Sequence, residues 1–288
     1  MSIVVNTNIA SMMVQRSLTL TNNNLSKAMQ KLSTGLRINS GGDDAAGLAV
    51  SEKLKSNINS SDVAKLNAQT GINMLQVAES DLAVIQDSLQ RMRDLAVQSS
   101  NGIYSTSERK MLNDEFQDRM AEIDRVTKSS KFSDLNLLDG SITEMKLQIG
   151  TDNTSSSTID ISTAFKSVST SSLGLNYVNP QAGITHLRDV SITQANTSRT
   201  AMDVLDKAIN DISQKRSLYG STINRLTSTV TRIEVRKENL TASNSVIRDA
   251  DIALETANMT KAQVLQQSAV SLLKQANNST SIALTLLQ

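Results

Sequence analysis

Few residue patterns in this chain could do chemistry. The first is Gly41–Gly42–Asp43–Asp44, a paired carboxylate after two glycines. Nucleotide cyclases use such a run to hold a metal, but on a strand turn and followed by Phe. Here an Ala-rich segment follows (Ala45–Val50), so the motif reads as a turn in which Asp43 or Asp44 caps the next helix. The second is His186, the sole histidine, which has no HExxH context and no evident partner for general-base work. The third is the acidic and basic set Glu115, Glu122, Asp124, Arg119 and Arg125, whose helical spacing predicts a solvated, ion-paired face. With no cysteine, the chain has neither a thiolate nucleophile nor a sulfur-based zinc site. No Walker loop, GxSxG or GxGxxG opening a helix occurs. These residues predict no catalysis, no metal and no cofactor.

The elements that carry these residues are helical. Apolar residues fall at Leu25, Met29, Leu32 and Leu36, and again at Leu75, Ala78, Leu82, Ile85, Leu89, Met92 and Ala96. Downstream the seam continues through Ile212, Tyr219, Ile223, Leu226, Val230, Ile233 and Leu240, and ends on Leu265, Ala269, Leu272 and Ala276. Alternating steps of three and four put one narrow apolar stripe on a helix that must pack against another. The pattern predicts helices over 8–36, about 45–100, about 107–128, about 192–240 and about 250–287. Met111, Leu112, Phe116, Met120 and Ile123 form the apolar side of the third. Gly71, inside the second, marks a bend. Met145–Ile149 and Thr158–Ile161 alternate apolar and polar residues, a strand pattern, around the turn Gly150–Ser157. A loop follows through Pro180–Gly183. The expected fold is mainly α: a long antiparallel coiled-coil and helical-bundle rod with a small β-hairpin insertion.

Composition agrees. Aromatic residues make up 2% of the 288 residues, too few for a deep globular core, and Pro180 is the one proline. A net charge of +1 points to no nucleic-acid partner. No apolar run approaches a membrane span, and the N-terminus lacks the basic and apolar regions of a cleaved leader. The first 26 residues carry one charge, Arg16, and residues 262–288 carry one, Lys274. Terminal helices so sparsely charged predict burial on more than one side, against other copies of the chain. Both termini are expected to be disordered in the monomer and helical in the polymer. The Ser/Thr-rich middle is either a plain solvated loop or a site of O-glycosylation.

Several blocks then carry a resemblance. NTNIASM, LSTGLRINSGGDDAAGLAVSEKL (Leu32–Leu54), LQRMRDLAVQ (Leu89–Gln98), EIDRV (Glu122–Val126) and NMTKAQVLQQSAVSLLKQAN (Asn258–Asn277) resemble bacterial flagellin in order and spacing, over about four fifths of the chain. The resemblance implies a filament subunit used for swimming. Residues 1–44 with 248–288 then form an inner coiled-coil polymerisation domain. Residues 45–247 form a helical rod with the hairpin region at about 140–190, and no large outer domain is present. The polymerisation core comprises Leu25, Met29, Leu32, Leu36, Leu265, Ala269, Leu272, Leu273 and Ala276.

The resemblance also implies an extracellular location, reached unfolded through the flagellar export channel without a cleaved leader. Its expected partners are further subunits, the filament cap and hook-junction proteins, and a secretion chaperone at about Ala250–Gln288. LQRMRDLAVQ matches the segment sensed by a vertebrate Toll-like receptor, with Arg91, Leu95 and Glu115 at the matching positions. On the expected seam, Arg91 and Leu95 face away from Leu89 and Met92, open to a receptor or to another subunit. The alternative within the family is the hook–filament junction protein. A metalloprotease-bearing flagellin would need an HExxH insertion that the single histidine rules out, and a generic coiled-coil adaptor would not explain the weakly charged ends.

Overall fold

The computed structural model describes residues 7–173 and 186–285, with side chains followed to residue 278. The expected loop at Pro180–Gly183 and the last residues of the terminal helix lie outside the described residues. Five long helices dominate: α1 (Ile9–Thr34), α2 (Ala45–Ser100), α3 (Thr106–Ser129), α4 (Ala195–Arg248) and α5 (Ile252–Thr285). Two short ladders lie between α3 and α4. Strands β1 (Lys131–Phe132) and β2 (Leu135–Asn136) form one, and β3 (Lys146–Gln148) and β4 (Thr158–Asp160) form the other. The chain divides into two compact units, Met1–Ile58 with Glu238–Gln288, and Asn59–Lys237.

In the first unit α1 and α5 run antiparallel. Cross-links step down one helix and up the other: Ser11 Oγ donates to Asn277 Oδ1, Gln266 Nε2 to Asn22 Oδ1, and Lys31 pairs with Glu255 at 3.0 Å. The helices stop where sequence chemistry stops them. Asn8 caps α1 by accepting from the Ser11 N–H, and Gly35 ends it in the left-handed conformation (φ 70°). The two helix breaks are stitched together: Arg37 N–H donates to Arg248 O, Ala250 N–H to Gly35 O, and the Arg37 guanidinium to Ile247 O. Asp251 caps α5 by accepting from the Leu254 N–H.

The second unit is a closed bundle. Lys237–Asp62, Lys65–Glu234, Arg216–Glu79 and Arg93–Asp206 ion pairs set α4 antiparallel to α2. α3 opens with a capping box, in which Ser105 and Glu108 satisfy each other's backbone N–H groups. All seven expected seam residues of α2, from Leu75 to Ala96, are buried. They meet Phe116 and Ile123 of α3 and Leu205, Ile212, Tyr219 and Leu226 of α4. Met111 departs from the expected apolar side of α3: it is 68% exposed, because it lies off the face defined by Phe116, Met120 and Ile123.

Between β4 and α4 the described residues, 161–173 and 186–194, are not plain loop. They include short 3₁₀ turns and bury Phe165, Val168, Leu187, Val190 and Ile192 against the bundle. Asp124 holds this segment, accepting from the backbone N–H and hydroxyl of Thr170, both at 2.9 Å. It is therefore not part of a solvated charged face, unlike the neighbouring Glu122–Arg125 pair. Gly71 marks a docking point within a continuous α2. A Cβ there would clash with Leu147 Cδ1, so the missing side chain makes room for β3. The β3–β4 register pairs Leu147 with Ile159, and Asn67 Nδ2 ties α2 to Gln148 O.

Tyr219 joins these layers. Its ring is buried, tilted at 41° to Phe165, and its hydroxyl donates to Ala164 O at 2.9 Å. Burial alone raises its pKa above the usual range. Tyr219→Phe leaves a buried carbonyl unpaired and should lower unfolding free energy by about 1–3 kcal/mol. The urea midpoint measures this; an unchanged midpoint would contradict the bond's role.

Candidate polymerisation and recognition surfaces

The paired aspartates are structural. Asp44 Oδ1 accepts from the Gly47 N–H at 2.8 Å and caps α2. Asp43 Oδ2 accepts from the backbone N–H groups of Ser40 and Asn39, and these bonds hold its carboxyl below the usual range. A Cβ on Gly47 would lie 2.8 Å from Ile38 Cδ1, so the first turn of α2 packs closely on Ile38. His186 stands beside Asp189 (Nδ1 to Oδ2 3.3 Å) at the start of a 3₁₀ turn. No group of three or more potential metal ligands occurs among the described residues.

The segment matching the receptor-sensed pattern is only partly at the surface. Arg91 and Glu115 form a bidentate pair across α2 and α3, with Nε–Oε1 2.9 Å and Nη2–Oε2 3.1 Å. The hydrogen bonds from Arg91 hold the Glu115 carboxyl below its usual range. Both side chains are substantially exposed. Leu95 corrects the expectation: it is fully buried in the bundle core. At 100° per residue, the α2 stripe through Leu89, Met92 and Ala96 is wide enough to take in Leu95, because α3 covers that flank.

The terminal seam also differs in register from the expectation. On α1, the α5-facing side runs through Ser11, Val14, Leu18, Thr21, Leu25, Ala28 and Leu32, with Ala28 buried. On α5 it runs through Ala262, Ala269, Leu273 and Ala276, of which Ala262 and Ala269 are buried. Leu36 is half-buried beyond the end of α1, bridged to Asp249. Met29 (48%), Leu265 (49%) and Leu272 (55%) are exposed, and Leu265 flanks the groove between the helices beside Thr21 and Ala28. Small residues at 28, 262 and 269 let the backbones approach, so Ala28 takes the place expected for Met29, while Leu25, Leu32, Ala269, Leu273 and Ala276 lie on the seam. Reading the stripe from alanine rather than from the largest side chains would have found this register. Met12, Met13, Leu20, Leu254 and Val264 join the outward apolar set, each more than half exposed.

One amine is chemically unusual. Lys215 lines a cleft of about 610 Å³ beside Thr163, Ser172 and Asp211, and its Nζ donates to Lys166 O at 2.7 Å. Burial, reinforced by the Lys166 charge and opposed by Asp211, pushes it down to about 8. Between pH 8 and its ordinary value of 10.5, the unfolded chain holds more protons at this site than the folded one. Its contribution to stability therefore rises with pH across that window and is flat below it. NMR of the Lys215 side chain should show a midpoint near 8; a midpoint near 10.5 would contradict the desolvated setting.

Residues 5–143 match the model of the bacterial flagellin N-terminal helical region, and residues 202–287 that of the C-terminal helical region. The "Flagellar filament 33 kDa core protein" of Treponema phagedenis is 39% identical, covering 99% of this chain and 100% of that one. The flagellin of Halalkalibacterium halodurans is 37% identical with the same coverage. In fold, the chain is similar to a putative flagellar hook-associated protein from Vibrio parahaemolyticus (TM-score 0.58, 12% identity, 72% of this chain and 99% of that one). Heptad seams, a closed bundle with a docked hairpin and this full-length similarity converge: the chain belongs to the bacterial flagellin family, whose members are structural subunits of the extracellular flagellar filament and not enzymes.

Proposed function

We propose that residues 1–44 and 248–288 form the inner polymerisation domain of a flagellar filament, and that residues 45–247 form the helical rod outside it. One observation carries this reading. The α1/α5 pair leaves Met12, Met13, Leu20, Met29, Leu265 and Leu272 in solvent, on helices that carry three charged residues each. Apolar surface of that extent marks an interaction site, and a family that builds homopolymers supplies the partner. The polymerisation core then has two layers. Leu25, Leu32, Leu36, Ala269, Leu273 and Ala276 pack within the subunit, and Met29, Leu265 and Leu272 pack between subunits.

Passage through the flagellar export channel in the unfolded state fits a chain with no disulfide to undo. The C-terminal region from about Ala250 is the proposed chaperone site, and the filament cap and hook-junction proteins are the proposed end partners. The Arg91–Glu115 pair is the exposed part of the surface proposed for a vertebrate Toll-like receptor, with Leu95 supporting it from beneath. Monomer should activate that receptor more than intact filament does, and Arg91→Ala should weaken the response. A full response from Arg91→Ala would remove the patch from recognition.

Seeding the purified chain with filament fragments should give long filaments by electron microscopy. A hook–filament junction protein would give none. Limited proteolysis should clip before about residue 40 and after about 250 in monomer only. Leu272→Ala should weaken each subunit contact by about 2–5 kcal/mol and impair assembly, while circular dichroism of the monomer stays unchanged. Filaments as stable as the parent's would sink the proposed role of Leu272.

A further inference from the structure

Unmatched charges lie at two separated places on the second unit. On α4, Arg225, Arg232 and Arg236 are exposed, and among the described residues they make no ion pair with a carboxylate. Arg232 donates only to Thr229 Oγ1 (3.3 Å) and Arg236 only to Thr151 Oγ1 (3.4 Å). Arg225 and Arg232 line a cleft of about 600 Å³ whose other polar groups include the hydroxyls of Ser155, Ser156 and Ser228. On α3, Asp114 and Asp118 are exposed and unpaired among the described residues, although Lys110 and Arg119 share their helix. Like charges four apart disfavour an isolated helix, so neither pair helps its own helix.

The two sets cannot satisfy each other within one chain. Arg232 and Arg236 flank Glu234, which pairs with Lys65 of α2, whereas Asp114 adjoins Glu115, which pairs with Arg91 of α2. From Lys65 to Arg91 is roughly 40 Å at 1.5 Å per residue. Their spacings match, however: Arg232–Arg236 and Asp114–Asp118 are each one turn, about 6 Å. Each set also has an exposed apolar neighbour, Val235 (52%) beside the arginines and Met111 (68%) one turn before Asp114.

We propose that the Arg232/Arg236 ridge of one subunit docks on the Asp114/Asp118 ridge of a second copy. Opposite signs at opposite ends of one unit make a head-to-tail contact, the kind that builds an open filament when its rotation does not close a ring. The arginines also offer planar, multi-donor groups suited to carboxylates. Charge complementarity of this kind sets register and encounter rate more than affinity. This proposal rests on the filament reading above and adds its longitudinal contact.

Charge reversal tests it, read as seeded assembly rate by light scattering and sedimentation. R232E/R236E and D114R/D118R should each slow assembly at least about tenfold, since like charges are then apposed. The quadruple variant, with both ridges reversed, should recover most of the parent rate. Parent-like assembly of both double variants, or a quadruple variant no better than either, would overturn the proposal. If a reversal alters the monomer's circular dichroism, R232Q/R236Q is read the same way. Failure of the unmodified chain to form filaments would instead strike the filament reading itself.

Discussion

A pair of helices has only one shared seam, and that constraint governs the terminal half of this protein. Two cylinders touch along a line, so each can hide only a narrow stripe in the other. α1 and α5 carry more apolar side chains than the stripe admits. The seam is taken by residues such as Ala28, Ala262 and Ala269, and the bulkier Met12, Leu20, Leu265 and Leu272 are left outside. In an isolated subunit this is an unfavourable surface. In a helical polymer of identical subunits it becomes the contact.

The second unit has the opposite economy. Three helices and a returning chain close around one core, so Leu75, Ile85, Leu89, Met92 and Leu95 are fully covered. Polar groups lock the cover in place: Asp124 on Thr170, Tyr219 on Ala164 O, and Asn113 Oδ1 accepting from the Ile192 N–H. A folded bundle of this kind offers neighbours exposed charges, with single apolar residues such as Val63, Leu66 and Ile103 among them. The two units thus present different interaction chemistry, non-directional burial in one and patterned charge in the other.

Much of this was legible from residue spacing. The α2 seam from Leu75 to Ala96, the cap at Asp44 and the β3–β4 ladder follow from local rules that tertiary context did not override. What escaped was set by contacts distant in sequence. Leu95 looked outward because α3's covering flank cannot be inferred from α2 alone. Gly71 looked like a bend because nothing local announces Leu147. The β1–β2 ladder, two residues a side around Ser133 at φ 53°, is too short to carry a period. Along α1 and α5 the expected Leu25, Leu32, Ala269, Leu273 and Ala276 lie on the seam, but the small residues Ala28 and Ala262 that share it carry no large side chain to announce them. The blocks that resemble flagellin supplied the residues proposed for receptor recognition, which spacing alone would not have singled out.

Methionine footprinting tests the central claim most directly. Met12, Met13 and Met29 lie on the outward face of α1 and are 62%, 68% and 48% exposed. Buried Met74 and Met92 of the second unit are internal controls. Under hydrogen peroxide, each thioether takes one oxygen to give the sulfoxide and water, at a rate that follows its exposure. If the outward face is the subunit contact, Met12, Met13 and Met29 oxidise readily in monomer and are strongly protected in filament, while the controls stay slow in both. Equal oxidation of these three residues in monomer and filament would contradict the account.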